Sequence, residues 1–239
     1  MFGVGSIKTA IVIPAKNESA SIAGVLADIH KNTGLPVILV DDGSTDQTAC
    51  IAKAAGASVL AHCESKGAWI AMQTGMRYAW RQGYRRVITM DADGQHLAGE
   101  IAKLREVEAK AQVIVGASSL RGGLLRQFAR ALFRRIGGLS VRDLTSGFRL
   151  YNAEALMLLV SSRASYLEYQ DVGVLLFIKS AGLSVYEVEV EMNERADGKS
   201  RIFSSWFKVG YYMASTLLLS FAKSMPDKNA RRVTAEDEK

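Results

Sequence analysis

The sequence contains little cysteine, proline or histidine, and each scarcity excludes a class of protein. Two cysteines among 239 residues, Cys50 and Cys63, are too few for a disulfide scaffold and suit a reducing compartment. Three prolines and no low-complexity repeats argue against a disordered or fibrous chain. The three histidines are too scattered to predict a zinc site. Apolar residues make up 49% of the sequence, so the chain can bury a large core without cross-links.

Positive charge is concentrated in one segment. The formal net charge is +6, and residues 121–149 contain seven arginines and one aspartate as their only charged residues. This segment therefore accounts for the whole excess. A basic patch of this kind expects an anionic partner, namely phosphate, nucleic acid or an acidic membrane surface. No nucleic-acid motif accompanies the arginines, so we predict no nucleic-acid partner.

Short apolar runs alternate with segments of helical periodicity in the first half of the chain. Strands are predicted at 7–13, 36–40, 57–61, 86–90 and 113–117, and helices at 19–31, 46–55, 67–82 and 98–109. This alternation indicates βαβ crossovers and an α/β fold whose mostly parallel central sheet is flanked by helices. The second half predicts strands at 146–151 and 185–191 and helices at 124–136, 171–180 and 203–222.

Polar loops follow three of the predicted strands, at Pro14–Glu18, Asp41–Asp46 and Asp91–His96. In parallel sheets, ligands bind at the carboxyl ends of the strands, so we expect the chemistry to lie in these loops. The alternative is that the polar residues only form turns and caps, with Ser19 and Asp46 capping the helices that follow.

Two of these loops carry specific candidates. Asp91 and Asp93 can converge on one hard metal ion, with Gln95 as a neutral oxygen ligand. The alternative is an Asx-type turn with solvated aspartates, and the motif alone does not choose between them. Asp42 is predicted to accept hydrogen bonds from a base or a ribose.

Five motifs in register resemble the family 2 glycosyltransferases. They are IVIPAKNES, ILVDDGSTDQT, VITMDADGQH, DLTSGFRLY and the run from Arg195 to Arg201, which together span about residues 7–202. The pattern is most similar to the polyprenyl-phosphate branch, the branch that includes the dolichyl-phosphate mannose synthases. The resemblance implies a nucleotide-sugar-binding fold of the glycosyltransferase A type. It also implies an inverting, metal-dependent transfer from a nucleotide-diphosphate sugar to a lipid phosphate.

The resemblance also implies roles for individual residues. The donor-binding candidates are Pro14, Lys16, Glu18, Val40, Asp42, Asp91, Ala92, Arg195 and Arg201. The candidate ligands of a Mg²⁺ or Mn²⁺ ion are Asp91, Asp93 and Gln95. Lys16 stands where an aromatic residue is common, and Ser118 stands where the branch usually has an arginine that holds the acceptor phosphate. The candidates to replace that arginine are Arg121, Arg126 and Arg130.

The catalytic candidates are Asp93, Arg195 and Asp171. Breaking the sugar–diphosphate bond places charge on the departing nucleoside diphosphate, which a metal ion at Asp93 and a closing arginine at position 195 would stabilise. Asp171 stands where hydroxyl-directed relatives have a catalytic aspartate, but it is also a plausible N-cap of the following helix. Three interpretations therefore stay open: a lipid-phosphate acceptor, a hydroxyl acceptor, and a catalytically silent nucleotide-sugar-binding protein.

The C-terminal part of the chain bears on localisation. We predict a catalytic domain at residues 1–202, an apolar helix at 203–225 and a charged flexible tail at 226–239. The uncharged stretch Val209–Ala222 has 14 residues and would reach about 21 Å, short of the roughly 30 Å hydrocarbon core of a bilayer. We therefore expect a helix that lies in the membrane interface or packs in a homo-oligomer. The enzyme would then be peripheral on the cytoplasmic face of the cell membrane and act in cell-envelope glycan synthesis.

Overall fold

The computed structural model describes residues 7–118, 143, 146–167 and 172–193. Its strands are β1 Thr9–Ala15, β2 Val37–Asp41, β3 Ser58–Ala61, β4 Arg86–Thr89, β5 Val113–Ala117, β6 Arg149–Tyr151 and β7 Val185–Glu189. Its α-helices are α1 Ile22–Thr33, α2 Thr48–Ala54, α3 Ala68–Arg81, α4 Ile101–Glu106, α5 Ala153–Leu159 and α6 Val172–Ser180. Short 3-10 helices lie at Ala98–Glu100, Glu108–Lys110 and Ser162–Tyr166.

The strands form one sheet in the order β3-β2-β1-β4-β6-β5-β7. β1 pairs in parallel with β2 and β4, β2 pairs in parallel with β3, and β5 with β7. β6 runs antiparallel between β4 and β5. The predicted α/β fold with a mostly parallel sheet is therefore confirmed. The basic helix predicted at 124–136 and the apolar helix predicted at 203–225 lie outside the described residues.

Helices pack on both faces of the sheet because its central strands are apolar on both faces. Val12 of β1 belongs to a buried cluster with Trp69 and Met76 of α3. Its neighbours Ile11 and Ile13 belong to a second buried cluster, which includes the apolar face of α1. Successive side chains of a strand point to opposite faces, so adjacent residues of β1 enter different clusters. The ends of the strands are then where polar side chains can meet a ligand.

Pro14 lies inside β1, whereas the sequence predicts that the strand turns there. Ile11 donates its N–H towards β2 and Ala15 accepts a hydrogen bond from Asp42 on the same side. Pro14, at an even position like Val12, therefore falls on the side of β4. Pairing with β4 ends at Val12, so the N–H that proline lacks interrupts no ladder bond.

Candidate functional site

The three predicted loops meet at the carboxyl edge of the sheet, after β1, β2 and β4. The N–H of Asp42, just after β2, donates to the carbonyl oxygen of Ala15 at the end of β1, at 2.8 Å. The Ser21 hydroxyl at the start of α1 donates to the Ala92 carbonyl oxygen in the loop after β4, also at 2.8 Å. The loops are therefore one hydrogen-bonded unit and not three independent segments.

Hydrogen bonds between side chains and backbone join the loop after β1 to the loop after β2 and to the start of α2. The bonds join Asn17 N–H to Ser44 Oγ at 2.9 Å, Thr45 N–H to Asn17 Oδ1 at 2.8 Å, Glu18 N–H to Thr48 Oγ1 at 2.8 Å, and Ser19 N–H to Asp46 Oδ2 at 3.1 Å. Asn17 has φ of 54°, a left-handed conformation that asparagine tolerates better than most residues. The loop after β2 thereby fixes the chain on either side of Lys16, which is exposed, and Glu18, which is half-buried.

Asp46 has the local role that the turn-and-cap alternative describes. Its carboxylate accepts hydrogen bonds from the hydroxyl and the N–H of Thr48, in the first turn of α2. The bond from the Thr48 hydroxyl contributes most to lowering the pKa of Asp46 below its ordinary value. Ser19, in contrast, does not cap α1, since that helix starts at Ile22.

The Asp42 carboxylate organises the segment that leads into α3. Its Oδ1 atom lies 2.8 Å from His62 Nδ1 and accepts the Lys66 N–H at 2.8 Å. Its Oδ2 atom accepts the Ser65 hydroxyl at 2.7 Å and the Gly67 N–H at 2.9 Å. Burial alone would raise the pKa of Asp42, which is 4% exposed, but these four hydrogen bonds outweigh it and lower the pKa. The carboxylate thus holds the segment 62–67, which leads into α3, at the end of β2.

The loop after β4 places oxygen atoms at the same edge. Gly94 has φ of 78°, which allows the tight turn, and Asp93 Oδ1 accepts the Gln95 N–H at 3.1 Å. The Asp91 side chain is 38% exposed, and Asp93 and Gln95 are half-buried. The Asx-type turn is therefore present, and it leaves two carboxylates and an amide at the surface of the loop.

This donor set fits a hard divalent cation, because carboxylate and amide oxygens are the ligands that Mg²⁺ and Mn²⁺ prefer. Within the described ranges, no group of three or more His, Cys, Asp or Glu side chains could hold a metal ion alone. A cation at Asp91, Asp93 and Gln95 would complete its coordination with water or with oxygen atoms of a bound molecule.

The remaining predicted residues divide into two groups. Pro14 and Val40 are register partners in β1 and β2, Val40 is fully buried, and Ala92 is 4% exposed. Pro14 and Val40 lie near the carboxyl ends of their strands, and Ala92 lies in the loop after β4. The others lie outside the described residues, and their roles stay predictions: Arg121, Arg126, Arg130, Asp171, Arg195 and Arg201.

Several residues that hold the site together are not among the predicted site residues, namely Ser21, His62, His96 and Gly147. His96 and Gly147 contact Asp91, and His62 contacts Asp42. The VITMDADGQH motif includes His96 and the DLTSGFRLY motif includes Gly147, so the motifs mark both positions. Their roles depend on contacts that only the folded chain creates.

Comparison with known proteins gives the family. The family model described as "Glycosyl transferase family 2" matches residues 10–158. The chain belongs to glycosyltransferase family 2. This membership confirms the resemblance read from the five motifs and makes the protein a glycosyl-transfer enzyme.

Several curated relatives of this family 2 enzyme match most of its length. The polyprenol monophosphomannose synthase of Mycolicibacterium smegmatis is 27% identical over 83% of this chain and 82% of its own. The undecaprenyl-phosphate mannosyltransferase of Micrococcus luteus is 28% identical over 80% of this chain and 86% of its own. The UDP-N-acetylglucosamine–dolichyl-phosphate N-acetylglucosaminyltransferase of Methanococcus voltae is 28% identical, with coverages of 76% and 84%.

Solved structures confirm the fold. The glucosyl-3-phosphoglycerate synthase of Mycobacterium tuberculosis, solved with Mn²⁺, UDP and glucosyl-3-phosphoglycerate, superposes with a TM-score of 0.68. It is 20% identical, and the match covers 94% of this chain and 82% of that one. At this identity the likeness supports the nucleotide-sugar transferase fold and says nothing about the substrate.

In the part of the chain that the structure describes, no helix is long and apolar enough to cross a bilayer. The interfacial helix predicted at 203–222 lies outside that part.

Proposed function

We propose that this glycosyltransferase transfers a sugar, with inversion, from a nucleotide-diphosphate sugar to a polyprenyl phosphate. The observation that carries the proposal is what three relatives have in common. Their names specify a polyprenol, an undecaprenyl phosphate and a dolichyl phosphate as the lipid, and mannose or N-acetylglucosamine as the sugar. The lipid class is therefore common to all three while the sugar varies, so the acceptor class is better supported than the identity of the sugar.

The donor end of the proposal rests on the loop after β4. We infer that Asp91, Asp93 and Gln95 hold Mg²⁺ or Mn²⁺ together with the donor diphosphate, since two carboxylates and one amide leave ligand positions of such an ion for other oxygen atoms. The ion would neutralise charge that develops on the departing nucleoside diphosphate. Lys16 and Glu18, on the adjoining loop, would contact the nucleotide, and the Ser21–Ala92 bond keeps the two loops together.

The rest of the nucleotide pocket follows from the strands beside those loops. Pro14 and Val40 would line it from β1 and β2, and Ala92 would line it from the loop after β4. Asp42 would shape it through the segment 62–67, which its carboxylate holds by four hydrogen bonds. We infer that Arg195 and Arg201 close over the diphosphate, as the family resemblance implies.

The acceptor end rests on charge. A phosphate is already anionic at pH 7 and needs no general base, whereas a sugar hydroxyl must lose a proton during attack. Arg121, Arg126 and Arg130 belong to the segment that carries the chain's entire excess charge, and we assign them to the lipid phosphate. An enzyme with a lipid acceptor works at a membrane surface, so we propose that it is peripheral on the cytoplasmic face of the membrane. Residues 203–225 would attach it there. The alternative is that this segment joins two copies of the chain.

The test is a transfer assay with labelled UDP- and GDP-sugars, Mn²⁺ or Mg²⁺, and either a short-chain prenyl phosphate or a free glycan as acceptor. We expect labelled prenyl-phosphate product and expect Asp171→Asn to retain most of the activity. At least one of Arg126→Ala and Arg130→Ala should raise the KM for the prenyl phosphate. Transfer only to the glycan, with a collapse of kcat in Asp171→Asn and normal arginine variants, would establish a hydroxyl acceptor instead. No transfer with any donor, despite nucleotide binding, would favour a silent binding protein.

A further inference from the structure

His96 is a buried residue at the end of the loop after β4. The residue is 3% exposed, and its ring stacks on Phe148 with centroids 5.1 Å apart and planes inclined by 19°. Its backbone forms an isolated antiparallel bridge with Met192, which follows β7. The ring and the backbone of His96 are therefore each in contact with a segment that is distant in sequence.

The ring contacts Asp91 at two places. His96 Nδ1 accepts the Asp91 N–H at 3.0 Å, so in the neutral imidazole the ring proton is on Nε2. Nε2 lies 3.6 Å from Asp91 Oδ2. The ring therefore lies against both the backbone N–H and the carboxylate of Asp91 and restricts where the carboxylate can point.

Gly147 limits the same carboxylate from the other side. A Cβ atom built on Gly147 would lie 2.7 Å from Asp91 Oδ1 and 3.2 Å from Oδ2. No side chain fits there unless the carboxylate moves. The neighbours of Gly147 are fixed as well, because the Ser146 hydroxyl donates to the Gly116 carbonyl oxygen at 2.6 Å and accepts the Phe148 N–H at 3.2 Å.

We propose that His96 and Gly147 are positioning residues that set the direction of the Asp91 carboxylate and thereby the affinity of the site for a divalent cation. Neither contacts the reacting atoms, and the inference rests on the proposed metal site at Asp91, Asp93 and Gln95. In this proposal, the Ser-Gly-Phe part of the DLTSGFRLY motif orients Asp91, which lies 56 positions before Gly147 in the chain. Outer-shell partners that orient metal ligands commonly change metal affinity by roughly ten- to hundredfold when they are replaced.

Two variants of the full-length chain test the inference from opposite sides. His96→Phe keeps an aromatic ring against Phe148 but removes the acceptor for the Asp91 N–H. Gly147→Ala keeps the imidazole but places a methyl group where the carboxylate lies. The control is Met76→Ala, which opens a cavity in the other buried cluster and lowers stability without touching the loop.

The measurement is Mn²⁺ binding by electron paramagnetic resonance, with UDP and with GDP, beside nucleotide binding in EDTA and the unfolding temperature. We expect His96→Phe and Gly147→Ala to bind Mn²⁺ in the nucleotide complex roughly ten- to hundredfold more weakly than wild type. Metal-free nucleotide affinity should stay within about twofold of wild type, and Met76→Ala should bind Mn²⁺ normally. If one variant does not fold, the other decides.

Two results would overturn the inference while the proposed function stands. One is Mn²⁺ affinity near the wild-type value in the folded variants, and the other is an equal loss of affinity in Met76→Ala. If the wild-type protein binds no Mn²⁺ with either nucleotide, the proposed metal site itself is wrong and the positioning role is wrong with it.

Discussion

Replacing Asp42 by alanine tests whether its carboxylate holds the segment 62–67 in front of α3, and the structure gives the size of the effect. The substitution removes the acceptor of four hydrogen bonds, from His62, Ser65 and the N–H groups of Lys66 and Gly67. At about 1 kcal/mol net for each bond, the total would reach about 4 kcal/mol. The segment is only part-buried, so water can replace some of the bonds, and we expect a loss of about 3 kcal/mol. For a chain of this length that lowers Tm by roughly 6–12 °C.

Graded variants sharpen this prediction. Asp42→Asn keeps one oxygen for His62 and Lys66, but its NH2 group cannot accept the Gly67 N–H, so we expect a loss of about 1–2 kcal/mol. Ser65→Ala removes one of the four donors and should cost less than about 1 kcal/mol. Glu106→Ala, at an exposed position of α4, is the control and should stay within about 0.5 kcal/mol of wild type.

Urea unfolding followed by circular dichroism gives these free energies. The prediction is refuted if Asp42→Ala is as stable as Glu106→Ala. It is also refuted if Ser65→Ala loses more stability than Asp42→Asn, or if Asp42→Asn loses more than Asp42→Ala. Nucleotide affinity, measured separately by calorimetry, would then show whether Asp42 contacts the base directly.

Three further predictions concern pH, metal and membrane. The pKa of Asp42 is lowered in the folded state, so its contribution to stability is present above the ordinary aspartate pKa of about 3.9 and is lost as the pH falls through the folded value. Urea unfolding measured between pH 3 and 6 should therefore show that the free energy of unfolding falls more steeply with acid in wild type than in Asp42→Asn. Asp93→Ala should abolish the Mn²⁺-dependent part of nucleotide binding in calorimetry with little change in Tm, and unchanged binding would remove Asp93 from the metal site. Deleting residues 203–239 should release the protein from anionic vesicles in co-sedimentation. High salt should release it only partly, since buried apolar contacts are not screened. If the full-length chain never sediments with the vesicles, the segment packs against protein and does not bind the membrane.

Much of the fold and the location of the site could be predicted from the sequence because both depend on local patterns. Apolar runs of five to seven residues and intervening helical periodicity located the first five strands to within about two residues. Polar residues directly after β1, β2 and β4 then had to meet at one edge, since parallel strands share their carboxyl ends. The five motifs indicated the family, which the family match confirms. The metal, donor and acceptor roles of individual residues stay predictions.

Only the tertiary structure decided which residues contact one another across long stretches of chain. β6 inserts antiparallel between β4 and β5, which its own three residues cannot reveal, because strand order and direction depend on partners elsewhere in the sequence. The same limit hid the partners of two aspartates that the sequence did single out. Asp42 binds a segment more than twenty residues later, and Asp91 is confined between His96 and the backbone of Gly147. A motif shows that a carboxylate is present, but its direction and its pKa are set by neighbours that only folding brings within hydrogen-bond distance.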